Sequence, residues 1–115
     1  MAAVSNIFID QGADFTTTME IADTNELALN LTGYTVLAQI RKTYSSTTST
    51  SFTTAIDSNP ATGKITISLS DVQTTALEEG RYVYDVVITN TNSNDYKTRV
   101  VEGIATVMPS VTRSW

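Results

Sequence analysis

The stretch Leu77-Glu78-Glu79-Gly80-Arg81-Tyr82-Val83-Tyr84-Asp85 reads as a helical turn, a glycine stop and a strand. Its tyrosine two residues past the glycine has the layout of a tyrosine corner, in which the phenol bonds back to backbone a few residues upstream. In sandwiches stapled by a disulfide, a cysteine follows that tyrosine by two residues; here the position is Tyr84. The stretch predicts two packed sheets held by side-chain packing rather than by a bridge, with Tyr82 as the corner residue.

Upstream of the corner, Ser70-Asp71-Val72-Gln73 matches a capping box, a serine N-cap with glutamine three residues later. It predicts the chain's one helix, over Asp71 to Glu79, with Gly80 as its C′ stop. Before it, Lys64 to Leu69 alternates Ile65, Ile67 and Leu69 against Lys64, Thr66 and Ser68, the period of a half-buried strand. Asp57-Ser58-Asn59-Pro60 is a turn that closes a weaker strand over Phe52 to Ile56. The Ser/Thr tract Ser45 to Ser51 contains no apolar residue and reads as a loop or loose edge.

Tyr34 to Thr43 places Tyr34, Val36, Ala38 and Ile40 on one face, and Asp14 to Ala22 places Phe15, Thr17, Met19 and Ile21 on one face. Asp23-Thr24-Asn25-Glu26 is a polar turn, and Leu27, Leu29 and Leu31 lead into Thr32-Gly33. Asn6 to Asp10 opens the chain as a short strand ended by Gln11-Gly12. Downstream of the corner, Tyr82 to Thr89 is a strand. Asn90 to Asp95 is a loop rich in residues that tolerate left-handed backbone. Lys97 to Met108 is the last strand, and Gly103 inside it marks a bulge or a close backbone approach.

Seven such strands, with a helical turn between the fifth and sixth, make the expected fold all-β. It is an immunoglobulin-like antiparallel β-sandwich with one short helix before the sixth strand. A small barrel is the competing architecture. The 115 residues form a single domain, with short terminal arms at about 1–8 and 109–115. The abundance of threonine and serine supports the same class, because β-branched and hydroxylated residues are poor material for long helices.

The formal charge of −5 and the dispersed basic residues argue against a nucleic-acid partner, which needs clustered cations. No apolar run approaches the ~20 residues of a membrane span, and Met1 to Asn6 lacks the positive region of a secretory leader. The absence of histidine and cysteine removes the usual imidazole bases, thiol nucleophiles and most transition-metal sites. No catalytic, cofactor-binding or metal residues are expected, and the chain reads as a non-enzyme. Asp57-Ser58-Asn59 lacks the later glycine and glutamate of a calcium loop. Asn30-Leu31-Thr32 fits a glycosylation sequon by pattern alone.

Two features point to contacts between chains. Ile7, Phe8 and Ile9 are three consecutive apolar residues on a first strand, a hazard unless another chain covers it. Trp115, the sole tryptophan, follows Val111-Thr112-Arg113 with no strand neighbour to pack on; it either folds back onto the sandwich or anchors to a partner, tryptophan being a favoured interface anchor. Ile7, Phe8, Ile9, Val111 and Trp115 are therefore the candidate interface. Tyr44 and Tyr96 fall at strand ends, where exposed rings could stack on a sugar; Tyr34, Tyr82 and Tyr84 have apolar neighbours in register and read as core.

The chain resembles a family of small virion structural proteins of tailed bacteriophages, of the cyanophage and marine myovirus type. The resemblance lies in Ile9-Asp10-Gln11-Gly12-Ala13-Asp14-Phe15, in Leu29-Asn30-Leu31-Thr32-Gly33-Tyr34-Thr35-Val36 with Gln39-Ile40-Arg41-Lys42, and in Gly80 to Val86. Arg99-Val100-Val101-Glu102-Gly103 and Val111-Thr112-Arg113 extend it. The Leu31 to Lys42 portion is also similar to N-terminal domains of upper baseplate proteins, which carry long extensions after that domain. The resemblance implies a tail, baseplate or neck adaptor, made in the host cytoplasm and resident in the virion. Its expected partners are other virion proteins and further copies of itself. A capsid decoration protein and a carbohydrate-binding adhesin domain are the alternatives.

Overall fold

Period-2 alternation of apolar and hydroxylated residues becomes two facing sheets in the computed structural model, which describes residues 3–22, 25, 27–92 and 94–111. In chain order the strands are β1 (Ala3–Val4), β2 (Ile7–Asp10), β3 (Phe15–Glu20), β4 (Tyr34–Arg41), β5 (Thr50–Ser51) and β6 (Thr53–Ile56). There follow β7 (Lys64–Leu69), helix α1 (Asp71–Thr75), β8 (Gly80–Asn90) and β9 (Tyr96–Met108). The larger sheet runs β1-β9-β8-β4-β5, with β2 also on β9; the smaller runs β3-β7-β6. The architecture is an immunoglobulin-like sandwich.

The sheets meet through the predicted faces. Ile65, Ile67 and Leu69 of β7 oppose Ala38 and Ile40 of β4 and Tyr84, Val86 and Ile88 of β8, all buried. The position that a bridged sandwich gives to cysteine is filled by a ring: Tyr84 packs edge-on against Phe52 at 6.1 Å, and Phe52 meets Phe15 at 6.2 Å. This aromatic relay joins β8 to β3 across the sandwich. Offset and edge-to-face ring pairs contribute about 0.5–1.5 kcal/mol each beyond their burial.

The corner forms as read. Tyr82 Oη donates to the Glu78 carbonyl at 2.8 Å, and Lys42 Nζ lies 4.7 Å from the centre of the Tyr82 ring. The capping box is also present, with Gln73 N donating to Ser70 Oγ and Ser70 N donating to Gln73 Oε1. Helix α1 is shorter than expected, ending at Thr75 with Ala76 as its cap. Gly80 is the first residue of β8 (φ 132°) rather than a helix stop. Leu77 N donates to Thr74 O at 3.2 Å, an i→i−3 bond that tightens the last turn. The freed carbonyls beyond it are capped, Leu77 O by Gln11 Nε2 at 2.9 Å and Glu78 O by Tyr82. The chain leaves helical geometry at this tightened turn, where Leu77 enters the core.

Two details differ from the expected layout. The sandwich is not wholly antiparallel, because β1 and β2 both pair parallel with β9. The N-terminal arm over 1–8 is therefore replaced, from Ala3 onward, by strands of the larger sheet and their link. The irregularity in the last strand falls between Val101 and Arg99, opposite Val86 and Val87, and leaves Val100 as the extra residue. Gly103 takes the second of its two expected roles, the close approach: a Cβ there would strike the Ser5 carbonyl. At that crossing Asn6 Oδ1 accepts from Ile104 N at 3.1 Å, a side chain standing in for backbone. Asn94 and Asp95 adopt the expected left-handed backbone (φ 54° and 56°).

The two flanks of the sandwich differ. On one, the chain passes from β5 in the larger sheet to β6 in the smaller within two residues of Phe52. There Phe52 N donates to Ala38 O and Thr54 Oγ1 to Val36 O. On the other flank β1 and β3 border a groove lined by Ala3, Ser5, Thr17, Met19 and Val101.

Candidate protein-docking surface

Directly paired residues of neighbouring strands share a face of the sheet. In the larger sheet the outward row of β8 is Arg81, Val83, Asp85 and Val87, since Tyr82, Tyr84, Val86 and Ile88 point inward. Register then places Ile104 beside Val83, Glu102 beside Asp85 and Thr106 beside Arg81 on β9. It places Phe8 beside Thr106 and Val4 beside Glu102 at one edge, and Leu37 beside Val87 on β4. Phe8 is 68% exposed, Val4 74%, Leu37 57% and Ile104 40%. Large apolar side chains therefore dot one solvent face. Exposed apolar side chains gathered on one face are candidate docking positions.

Polar groups sit among them. Arg99 Nε lies 3.2 Å from Asp85 Oδ2, and both side chains are substantially exposed. An ion pair of this kind contributes little to stability. Arg41 organises the Ser/Thr tract, donating from Nη1 to Ser46 O at 2.8 Å and from Nη2 to Gln39 Oε1 at 3.0 Å. Tyr44 rises from this loop, 72% exposed. A shallow depression of about 280 Å³ lies between it, Gln39, Arg41, Asp85 and Arg99. The sequence reading missed Arg41, because a strand-end arginine gives no sign of which carbonyls it will meet.

The expected interface residues fall apart on this map. Ile7 and Ile9 are 8% and 0% exposed. They fill the chain's own core where β2 pairs beside β9, so neither is available to another chain. Phe8, between them, points outward and is kept. Val111 is 97% exposed beyond the end of β9, and Trp115 lies outside the described residues. The exposed Tyr44 and Tyr96 do not make a shared platform. Tyr96 pairs with Asn90, opposite Tyr34 at one end of β4, and Tyr44 follows the other end. At ~3.4 Å per residue the eight-residue strand separates those ends by roughly 24 Å.

Thr74 is a second residue the sequence did not reveal. It is fully buried; its Oγ1 donates to Ala13 O at 2.9 Å and accepts from Gly12 N at 3.0 Å. Helix α1 is thus fastened to the turn between β2 and β3. The possible ligand runs have local duties instead. Asp57 Oδ2 accepts from Asn59 N, and Asn30 Oδ1 accepts from Thr32 N and Thr32 Oγ1. Among the described residues no group of three or more acidic side chains gathers at metal-binding distance, and no helix is long and apolar enough to cross a membrane.

No known family model matches the chain, and no curated protein matches it either. Solved structures do. A chain from the complex of ICOS with ICOS-L and an anti ICOS-L VNAR domain superposes with a TM-score of 0.52 at 11% identity. The match covers 93% of this chain and 56% of that one, so this chain spans about half the length of its match. Tim-1 is similar over 98% of this chain and 99% of its own, at 10% identity and a TM-score of 0.42. Likeness at this level of identity concerns the fold alone.

Proposed function

We propose that this chain is a non-enzymatic structural protein of a tailed-phage virion, an adaptor of the tail, baseplate or neck that docks to other particle proteins. The observation that carries the reading is the outer face of the larger sheet. Phe8, Val4, Ile104 and Leu37 stand exposed there around the Asp85–Arg99 pair. Such a face offers apolar anchors within a polar surround, the anatomy of a protein interface. The resemblance of Leu31 to Lys42 and of Gly80 to Val86 to virion proteins supplies the class of partner.

The test uses phage particles lacking this protein, incubated with purified wild-type chain or with the Phe8→Ser, Ile104→Lys double variant, then sedimented. Wild type is expected to travel with the particles and the variant to stay in the supernatant. Equal sedimentation of both excludes the face, and failure of both to bind excludes a virion role. Immunogold labelling of bound protein separates a tail position from capsid decoration.

The depression beside Tyr44 favours a second reading, recognition of a carbohydrate, with the ring as stacking surface and Asp85, Gln39 and Arg41 as hydrogen-bonding groups. Binding on a glycan array that disappears in Tyr44→Ala is its expected signature.

A further inference from the structure

In the smaller sheet β7 is flanked on both sides, whereas β3 has β7 on one side and, among the described residues, no strand on the other. Burial follows this difference. The inward residues of β7, Ile65, Ile67 and Leu69, are 0%, 0% and 2% exposed, while Phe15, Thr17 and Met19 of β3 are only half-buried. The opposite flank is closed by the chain crossing at Phe52. At this flank the N-terminal strands have joined β9 instead, leaving β3 as an open edge beside the groove.

Edge strands in proteins that stay monomeric are commonly blunted by lysine, proline, a bulge or a cover. Phe15-Thr16-Thr17-Thr18-Met19-Glu20 has none of the first three, and its pairing with β7 runs without a register break. The strand is six residues long, ~20 Å at the usual rise. It is also self-complementary. An antiparallel second copy, centred on Thr17, sets Thr16 opposite Thr18 of the other copy on the outer face. On the inner face it sets Phe15 opposite Met19, twice. Threonine pairs and sulfur–aromatic contacts are both favourable across strands, and the two half-buried apolar residues would cover each other.

We propose that β3 is a self-association edge whose occupant is the β3 of a second copy of this chain. The two smaller sheets then continue into one sheet of six strands across an isologous two-fold axis. The main-chain groups of β3 that face away from β7 find their partners in the other copy, and the groove beside Ala3 and Ser5 is roofed by the joined strands. The register also brings Glu20 near Asp14 of the other copy at each end. Asp14 is held toward the helix by Asp71 N at 2.8 Å, so the repulsion is between exposed carboxylates and is screened by salt.

The test is solution mass by light scattering after size exclusion, over a concentration series, starting from the 12.5 kDa protomer. Wild type is expected to rise toward twice that mass, and the rise to come at lower concentration as salt increases. Thr16→Lys with Thr18→Lys puts lysine opposite lysine and is expected to remain a protomer throughout. Thr16→Lys with Thr18→Glu puts lysine opposite glutamate and is expected to recover the doubled mass. Both substituted positions lie on the solvent face, and circular dichroism melts check that each variant folds. A wild type that stays at protomer mass, or a lysine–lysine variant that still doubles, overturns the proposal. So does a lysine–glutamate variant that folds and stays single while wild type doubles. The wild-type salt series decides the matter if a variant does not fold, because a doubled mass lost on adding salt also overturns it.

Discussion

Tyr82 and Tyr84 stand two residues apart on the same inward face of β8 and secure different parts of the chain. The Tyr82 phenol closes the corner on Glu78, while the Tyr84 phenol donates to the Ser5 carbonyl at the crossing of the N-terminal segment. Tyr82→Phe removes one hydroxyl bond and is expected to cost about 0.5–1.5 kcal/mol, read as a lower urea midpoint with an unchanged slope. Burial pushes both phenols above their ordinary pKa. The folded state thus holds these protons more tightly than the unfolded chain. The stability this contributes is intact below pH ~10 and is lost as pH rises through the raised values. Urea midpoints are expected to be level up to that pH and to fall above it, with a shallower fall in a Tyr82→Phe, Tyr84→Phe chain. Gly103→Ala is expected to be destabilising by about 1–3 kcal/mol, because its Cβ would meet Ser5 backbone rather than a movable side-chain end.

The elements divide into those set by local pattern and those set by their neighbours. β7 falls where its alternation places it, Lys64 to Leu69, since every second residue is a branched or apolar one with a continuous core to face. Helix α1 starts where its capping box places it, yet it stops early where Leu77 turns into the core and its N–H bonds to Thr74 O, with Leu77 O capped by Gln11 from far along the chain. The β5–β6 crossing was legible only as a loose tract followed by a weak strand. Its single strong residue is Phe52, which enters the core between two rings. Phe52→Ala is expected to cost about 3–5 kcal/mol in chemical denaturation, the largest effect of the substitutions considered, because it opens a cavity and breaks the relay between sheets.

At the scale of the molecule, the surface separates from the core along the alternation of each strand. Phe8 and Ile104 belong to the outer face, so the Phe8→Ser, Ile104→Lys chain is expected to unfold within about 0.5 kcal/mol of wild type while failing to dock. A large loss of stability would return those residues to the core and remove the face. The candidate interface was legible in part: alternation alone separates Phe8 from Ile7 and Ile9, but which side of β2 faces inward depends on its pairing with β9. The outer row of Ile104, Val83, Asp85 and Leu37 was not legible, because its members come from three strands and are joined only by register.

Residue chemistry along the chain was enough for an all-β sandwich without a bridge, for the corner at Tyr82, the capping box at Ser70 and the inward faces of β3, β4, β7 and β8. These are local matters, set by spacing, by φ preferences and by side chains that reach a few residues at most. Tertiary packing settled the rest: the parallel attachment of β1 and β2 to β9, the early end of α1, the burial of Thr74 and the open edge at β3. Each depends on groups that meet across long stretches of sequence, as Ser5 meets Tyr84 and Asn6 meets Ile104. Periodicity says which side of a strand is apolar; it does not say which strand will lie beside it.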